Sequence, residues 1–483
     1  MIRALILAHR WLSIPLGPLF VLWFATGIVM HYVPFPAQTE SERFARLAPL
    51  DLAAGLRSPA EALAAVGIDH PGRIRLLQRV DGPVYVITDA DLSVAVHADT
   101  LAAADVTDAE LALSIARVNA QRRGIGGNGA AAAALDGYDQ WTVPNRFDPH
   151  RPLFRIALND GDGTELYVSS RTGEVVLDTT RFERGWNYAG SVVHWIYPTI
   201  LRKDWGAWNV SVWWLSLAAV VAAVTGALLG PVRLRIANKR RLSSRYRGWH
   251  RWHHWAGLVC TSFVLNWIVS GWLSMDHGRL FATGHLTTSE QAVLIGAPDW
   301  SMLGTSALAA THGEVREIEW FAFGGRIHQR GRRGLIQQQI SVLDGAAPKI
   351  LGRFLQPADV NAVTLRLRSD CARAVEVESG DDYPFASDVP GAPVYRTVCG
   401  DDWYHFDAAS GAALEKLDPS RRAYRWLYQA LHTLDFPILL AHATLRTLII
   451  VGLCAFGLAF SITGMVIGWR RLRALGPAPR HKG

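Results

Sequence analysis

The chain has 483 residues, half of them hydrophobic, with 19 Trp and only 19% charged residues. That length could hold several soluble domains, but the apolar residues gather in four runs nearly free of charge, which excludes an ordinary soluble protein. The net charge of +7 is concentrated in two short acid-free segments. It therefore reads as a membrane-topology signal and not as a nucleic-acid surface.

In chain order, the apolar runs cover residues 11–30, 205–230, 255–275 and 445–469. Each is long enough to cross a hydrocarbon core of ~30 Å, which takes about 20 helical residues. The first run reads as a retained anchor: it contains Trp23 and no clear small-x-small site follows it. The chain then reads as helix 1–31, outer domain 32–204, helix 205–231, basic loop 232–252, helix 253–275, outer domain 276–441, helix 442–469 and basic tail 470–483. The loop "PVRLRIANKRRLSSRYRGWHR" and the tail "WRRLRALGPAPRHKG" carry no acid. Short basic segments stay in the cytoplasm, so both termini are expected there and both outer domains on the opposite side.

Within the first outer domain, "SPAEALAAVG" (58–67) reads as a capped helix. "IRLLQRVDGPVYVITDADLSVAVHADT" alternates as strands, with turns at 81–82 and 89–91. "RRGIGGNGAAAAALDG" (122–137) reads as a loop or hinge, since no strand–Gly–helix context makes it a phosphate cradle. "GTELYVSSRTGEVVLDTT" and, in the second domain, "DDWYHFDAASGAALEKLD" each read as strand, tight turn, strand; "ESGDDYPFASDVPGAP" reads as a surface loop. Cys260 and Cys454 fall in apolar runs as packing residues. Cys371 and Cys399 fall in the second outer domain, where an oxidising compartment lets them form a disulfide.

The two halves repeat. An offset of 244 superposes His9 on His253, Trp11 on Trp255, Trp23 on Trp267 and Thr26-Gly27 on Ser270-Gly271. An offset of 238 superposes Thr172-Gly173 on Ser410-Gly411, His194 on His432 and Thr225-Gly226 on Thr463-Gly464. The expected fold is a membrane protein of four transmembrane α-helices in two parallel repeats, related by a pseudo-two-fold axis along the membrane normal, with two α+β outer domains.

The histidines follow the repeat. His9 and His253 take equivalent places at the cytoplasmic ends of two helices, and His194 and His432 equivalent places before the other two. His31 and His277 lie just past the outer ends of the first and third runs. His9 and His31 are 22 residues apart, about 33 Å of helix, so imidazoles gather at both faces. Facing imidazoles in a helical bundle suit axial ligation of b-type haem. C-x-x-C-H is absent, which excludes covalent c-type attachment. No G-x-G-x-x-G stands in strand–helix context, and H-E-x-x-H and G-x-S-x-G are absent. Interfacial decoration is the plainer reading for His250 and His254 of "WHRWHHW", and also for His70, His97, His150 and His312.

"HRWLSIPLGPLFVLWFATGIVM", "LYVSSRTGEVV" leading to "RGWNYAGSVVHWIYP", and "LYQALHTLDFP" resemble the PepSY-associated transmembrane family. The resemblance implies PepSY-like periplasmic domains in a bacterial inner-membrane protein. It implies haem b, two groups in this reading, held by His9, His194, His253 and His432; His31 and His277 are added from their depth. It also implies an enzyme, a ferric-siderophore reductase, which passes electrons from an unidentified donor to a periplasmic ferric siderophore or similar ferric complex. Two alternatives stand beside it: a non-enzymatic PepSY-domain protein regulating a periplasmic partner, and a metal or solute permease. The lipid bilayer is the one certain partner, and no nucleic acid is expected.

Overall fold

The computed structural model describes residues 2–475 apart from 54, 90–91, 127–130, 136, 238–240, 310–313 and 344–347. His312 and parts of the 89–91 turn, the 122–137 segment, the basic loop and the basic tail lie outside the described residues. The chain divides into a helical unit, residues 1–35, 185–281 and 422–483, and a sheet-rich unit, residues 36–184 and 282–421.

Four long helices, Ile2–Tyr32, Trp205–Val232, Gly248–Ser274 and Ala443–Leu475, build the helical unit. All four are long and apolar enough to cross a membrane, and this is a multi-pass membrane protein. The helices are apolar around their whole circumference, as lipid on one side and neighbours on the other require. They pack as a ring: the first touches the second and fourth, and the third touches the same two. Leu16, Phe24, Ala219, Ala222, Cys260, Val264 and Cys454 fill its centre. The hairpin Leu234–Ala237 and Arg241–Ser244 joins the second helix to the third.

In the sheet-rich unit, β1–β3 (Arg73–Arg79, Gly82–Asp89, Leu92–His97) and β4–β7 (Ala131–Leu135, Leu153–Ala157, Glu165–Ser169, Val175–Thr179) come from the first half. β8–β11 (Glu317–Phe323, Arg326–Arg332, Gln338–Leu343, Pro348–Gly352) and β12–β15 (Val375–Glu376, Val394–Cys399, Asp402–Asp407, Ala413–Leu417) come from the second. β4–β7 and β12–β15 form separate four-stranded antiparallel sheets. Helix Ala109–Arg122 packs its Ala112, Ile115 and Ala116 on the first of these sheets. Val360 and Val363 of helix Pro357–Leu367 pack on the second.

The expectation of two separate outer domains needs adjustment. β1 pairs antiparallel with β8, so strands of both halves form one seven-stranded sheet in the order β11-β10-β9-β8-β1-β2-β3. Its apolar face joins Ile74, Leu76, Tyr85 and Ile87 to Ile318 and Trp320, all of them fully buried. Burial of each such side chain stabilises by about 1.5–3 kcal/mol, so the seam is core and not a contact between finished domains.

The helix at Pro59–Val66 forms as its sequence signals predict. Ser58 and Glu61 make a reciprocal capping box, and Gly67 closes it in the left-handed region. Thr172-Gly173 and Ser410-Gly411 are turns in which each glycine has φ 69°. Each turn follows a strand with a matched irregularity, at Tyr167/Val168 and His405/Phe406. Part of the segment expected to be a loop is strand: Ala131–Leu135 pairs with Leu153–Ala157. Alanine carries little strand propensity, so that ladder is imposed by its partner strand. Cys371 and Cys399 are disulfide-bonded, while Cys260 and Cys454 are free and buried.

Candidate functional site

Four imidazoles of the bundle share one local design. His9 lies over Thr225-Gly226 of the second helix, and His253 over Thr463-Gly464 of the fourth. His194 lies over Thr26-Gly27 of the first, and His432 over Ser270-Gly271 of the third. A Cβ at Gly226 would come 2.7 Å from His9 Cε1, and one at Gly271 would come 3.0 Å from His432 Cε1. At Gly226 and Gly271 a side chain would crowd the ring, whereas at Gly27 a Cβ would lie 3.9 Å from His194 Cε1, in ordinary contact.

The same steps fix the protonation of each ring. His194 Nδ1 is 2.9 Å from Thr26 Oγ1, His253 Nδ1 is 2.9 Å from Thr463 Oγ1, and His432 Nδ1 is 3.1 Å from Ser270 Oγ. Each hydroxyl already donates its one proton along its own helix: Thr26 to Leu22 O at 2.7 Å, Thr463 to Phe460 O at 2.6 Å, Ser270 to Asn266 O at 2.6 Å. The hydroxyl can then only accept, so each Nδ1 carries the hydrogen. His9 Nδ1 donates to Ala222 O at 3.0 Å, with Thr225 Oγ1 at 3.5 Å. All four rings therefore present Nε2 as a bare lone pair. Among the described residues, no hydrogen bond engages any of these four Nε2 atoms.

His194 and His432 sit on short segments that run up to the second and fourth helices. Each follows a π-helical turn, Tyr188–Val192 or Arg425–Ala430. Each is followed two residues later by a non-glycine residue in the left-handed region, Ile196 at φ 51° or Leu434 at φ 53°. An indole from the neighbouring helix ties each histidine's carbonyl: Trp23 Nε1 donates to His194 O and Trp267 Nε1 to His432 O, both at 2.9 Å. π-bulges and left-handed bulky residues recur at functional sites because the surrounding structure must hold them. The two rings meet edge to face, with centroids 6.4 Å apart and planes at 72°. At the other end of the bundle, His253 lies within electrostatic reach of His9 and stacks on Phe460, centroids 4.7 Å apart.

The other candidate histidines differ. His31 Nε2 is 2.9 Å from Thr447 Oγ1, and His277 Nδ1 is 2.5 Å from Asn209 Oδ1. Thr447 and Asn209 are themselves one offset of 238 apart. These pairs brace the end of one long helix against the start of another, and neither ring overlies a hydroxyl–glycine step. Within "WHRWHHW", His250 is exposed and stacks on Tyr246. His254, expected at the interface, is buried with both nitrogens engaged, Nδ1 to Ser244 Oγ at 2.7 Å and Nε2 to Gly230 O at 2.8 Å. It pins the third helix to the end of the second.

The pattern of sequence and structure has a name. The chain belongs to the family of the PepSY-associated TM region, whose pattern matches residues 6–471. No curated protein matches the chain. In this PepSY-associated chain the site draws equally on both halves. Sequence reasoning paired Trp23 with Trp267 and the Thr-Gly steps with one another, but the roles were invisible. The carbonyl bonds, the π-turns and the accepting hydroxyls appear only once the helices are packed.

Proposed function

We propose that this PepSY-associated protein binds two b-type haems, one between His9 and His253 and one between His194 and His432, and passes electrons through them to a ferric complex. The observation that supports it best is the shared design of the four imidazoles, each with Nδ1–H held by the helix behind it and Nε2 unbonded. That arrangement suits axial ligands, whose second nitrogen is commonly fixed by an outer hydrogen bond. His194 and His432, with ring centroids 6.4 Å apart, would hold one haem between them. Among the described residues no group of three or more His, Cys, Asp or Glu is placed to hold a metal ion. Pairs are what the bundle offers, and a macrocycle that brings its own four equatorial nitrogens needs only a pair.

Bound haem supplies reversible one-electron transfer at a potential that the protein tunes. The chain's own part is positional. Thr26, Ser270 and Thr463, with the Ala222 carbonyl, fix the ring tautomer, and Gly226, Gly271 and Gly464 leave space for the His9, His432 and His253 rings. Trp23 and Trp267 lock the backbone at the two outer histidines. The acceptor in this reading is a ferric siderophore or similar complex: hard oxygen donors hold ferrous iron far less tightly than ferric, so one electron releases the metal. The matched geometry of the two halves supports two parallel repeats about a pseudo-two-fold axis. The acid-free loop and tail support an inner-membrane topology with both termini cytoplasmic and the sheet-rich unit periplasmic.

An absorption spectrum of the purified protein tests the reading. Soret and α bands that shift on reduction, with two haems per chain, are expected. A colourless, folded preparation from haem-replete cells would end it. Cysteine labelling from the cytoplasmic side should reach residues 242–250 and not residues 160–163.

A further inference from the structure

In "WHRWHHW" (249–255), His253 meets Thr463 and His254 braces the second helix, whereas Trp249, Arg251 and Trp252 are exposed. They lie at the end of the bundle where the second helix finishes, the third begins and the fourth finishes. That end carries no acid. None of residues 205–275 or 436–483 is Asp or Glu, whereas residues 233–251 hold eight Lys or Arg and residues 470–473 three. The other end of the bundle satisfies its cations internally. Arg425 bonds the Asp435 side chain at 2.7 Å and the Asp435 carbonyl at 2.8 Å, and Arg446 donates to the Leu434 and Thr433 carbonyls. Arg247, Arg251, Arg470 and Arg473 are exposed, and among the described residues none of them forms an ion pair.

Aromatic rings lie beneath several of these guanidiniums. Arg470 of the fourth helix lies over Trp249 of the third, 5.8 Å from the ring centre; Arg473 lies over Trp469 at 4.9 Å and Arg233 over Tyr246 at 5.9 Å. A guanidinium stacked on a ring keeps its N–H edge free for an acceptor. Holding a loop in the cytoplasm takes basic residues alone; it does not take indoles beneath them. The third helix adds to the same field. Its N-cap, Arg247, makes no side-chain capping bond, which leaves the positive end of the helix dipole uncapped. Deeper along both helices the exposed surface is apolar. Trp252 and Val259, a heptad apart on the third, are 71% and 61% exposed, and Ile462, Met465 and Trp469 are exposed on the fourth. The two helices pack on one another. Cations at the rim with an apolar bed behind them suit a ligand that has an anionic head and a hydrocarbon tail.

We infer that the rim formed by the start of the third helix and the end of the fourth binds the headgroup of an anionic glycerophospholipid, with Arg247, Arg470 and Arg473 on the phosphodiester and Trp249, Trp252 and Trp469 at the level of the glycerol and the first acyl carbons. Phosphate takes the guanidinium fork in two parallel bonds, and indoles settle at this depth of a bilayer. The inference rests on the helices crossing a membrane and needs no bound haem, so it stands or falls apart from the proposed function.

Native mass spectrometry of the full-length protein in detergent, with dioleoylphosphatidylglycerol and dioleoylphosphatidylcholine added in equal amounts, tests the site. The two lipids share their acyl chains and differ in net charge. Phosphatidylglycerol should bind at least roughly fivefold more tightly, and about 1 M salt, which screens exposed charges beyond about 3 Å, should remove the preference. Arg470→Gln and Arg473→Gln should each weaken phosphatidylglycerol binding roughly fivefold, the equivalent of about 1 kcal/mol per surface arginine, and leave phosphatidylcholine binding unchanged. Both side chains are exposed, so native circular dichroism is expected of both variants, and the wild-type comparison needs neither. Equal binding of the two lipids by the wild-type protein overturns the inference. So does an undiminished preference in the folded double variant. Complete displacement of the lipid by an equal concentration of soluble glycerol 3-phosphate would make the rim a phosphate site and overturn it as well.

Discussion

Thr463 holds His253 by one hydrogen bond, and its own proton is committed to the Phe460 carbonyl. Replacing it by Val keeps the volume and removes the acceptor. Loss of such an outer partner typically weakens a metal site 10–100-fold, so Thr463→Val should lower haem occupancy as read by a pyridine haemochrome assay. His253→Ala should lose one haem and most of the reduction rate while the protein stays folded. His250→Ala should do neither, because that ring is exposed on Tyr246. Full occupancy in the His253 variant would show that the repeat match misleads. Glycine gives a sharper test. Gly226→Ala places a methyl 2.7 Å from His9 Cε1, whereas a Cβ at Gly452 on the fourth helix would meet nothing within 4 Å. Gly226→Ala should therefore displace His9 and perturb the spectrum, with Gly452→Ala as the silent control. In the sheet-rich unit, burial would raise the Glu290 carboxyl, but Lys416, the Thr287 N–H and Tyr404 bonded to it hold it at about 2 against 4.5 unfolded. Glu174 behaves alike, held by Arg75. A depressed carboxyl stabilises fully above its unfolded value, so stability should fall as pH drops from about 4.5 towards 2. Glu174→Gln should flatten that acid limb in chemical-denaturation curves, and an unchanged limb would count against the pairing.

At the scale of elements, the two histidine-bearing segments are held by backbone irregularity as well as by side chains. Trp23→Phe and Trp267→Phe keep most of the ring volume and delete the N–H that ties each histidine carbonyl. Each should cost about 1 kcal/mol and loosen the outer haem, measured as faster haem loss to an acceptor protein. Equal loss rates in wild type and both variants would remove the indoles from the site. The four long helices and the four imidazoles were legible because hydropathy and a fixed offset report them directly. The π-turns at Tyr188–Val192 and Arg425–Ala430 were not, since no residue type requires a π-turn and only packing against the neighbouring helix selects it. The strand at Ala131–Leu135 was hidden for a similar reason: its residues favour a helix, and its partner decides otherwise.

For the whole molecule, the seam between β1 and β8 matters most. Ile74 and Leu76 find their packing partners Ile318 and Trp320 more than 240 residues away. Strand pairing over that distance leaves no periodic trace, so the sequence showed two similar segments and not their fusion. The consequence is testable. A chain cut within residues 238–240 should reassemble from co-expressed halves and co-purify. Either half alone should aggregate, because it exposes an unpaired central edge above an apolar face. A soluble, monomeric single half would contradict the seam.

Under the proposed topology, the spacing of the two histidine pairs has an electrical meaning. His9 and Thr26, which seats His194, are 17 residues apart on one helix, about 26 Å along its axis. That is most of the hydrocarbon thickness, and so most of the voltage drop. An electron carried from the inner pair to the outer pair moves from the negative to the positive side of an energised membrane, and gains ~2.3 kcal/mol for each 100 mV it crosses. If the proposed haems are bound, the bundle would be a current path that draws on the membrane potential. In proteoliposomes with a fixed internal reductant, a potassium–valinomycin potential negative inside should speed external ferric reduction, and collapsing that potential should slow it.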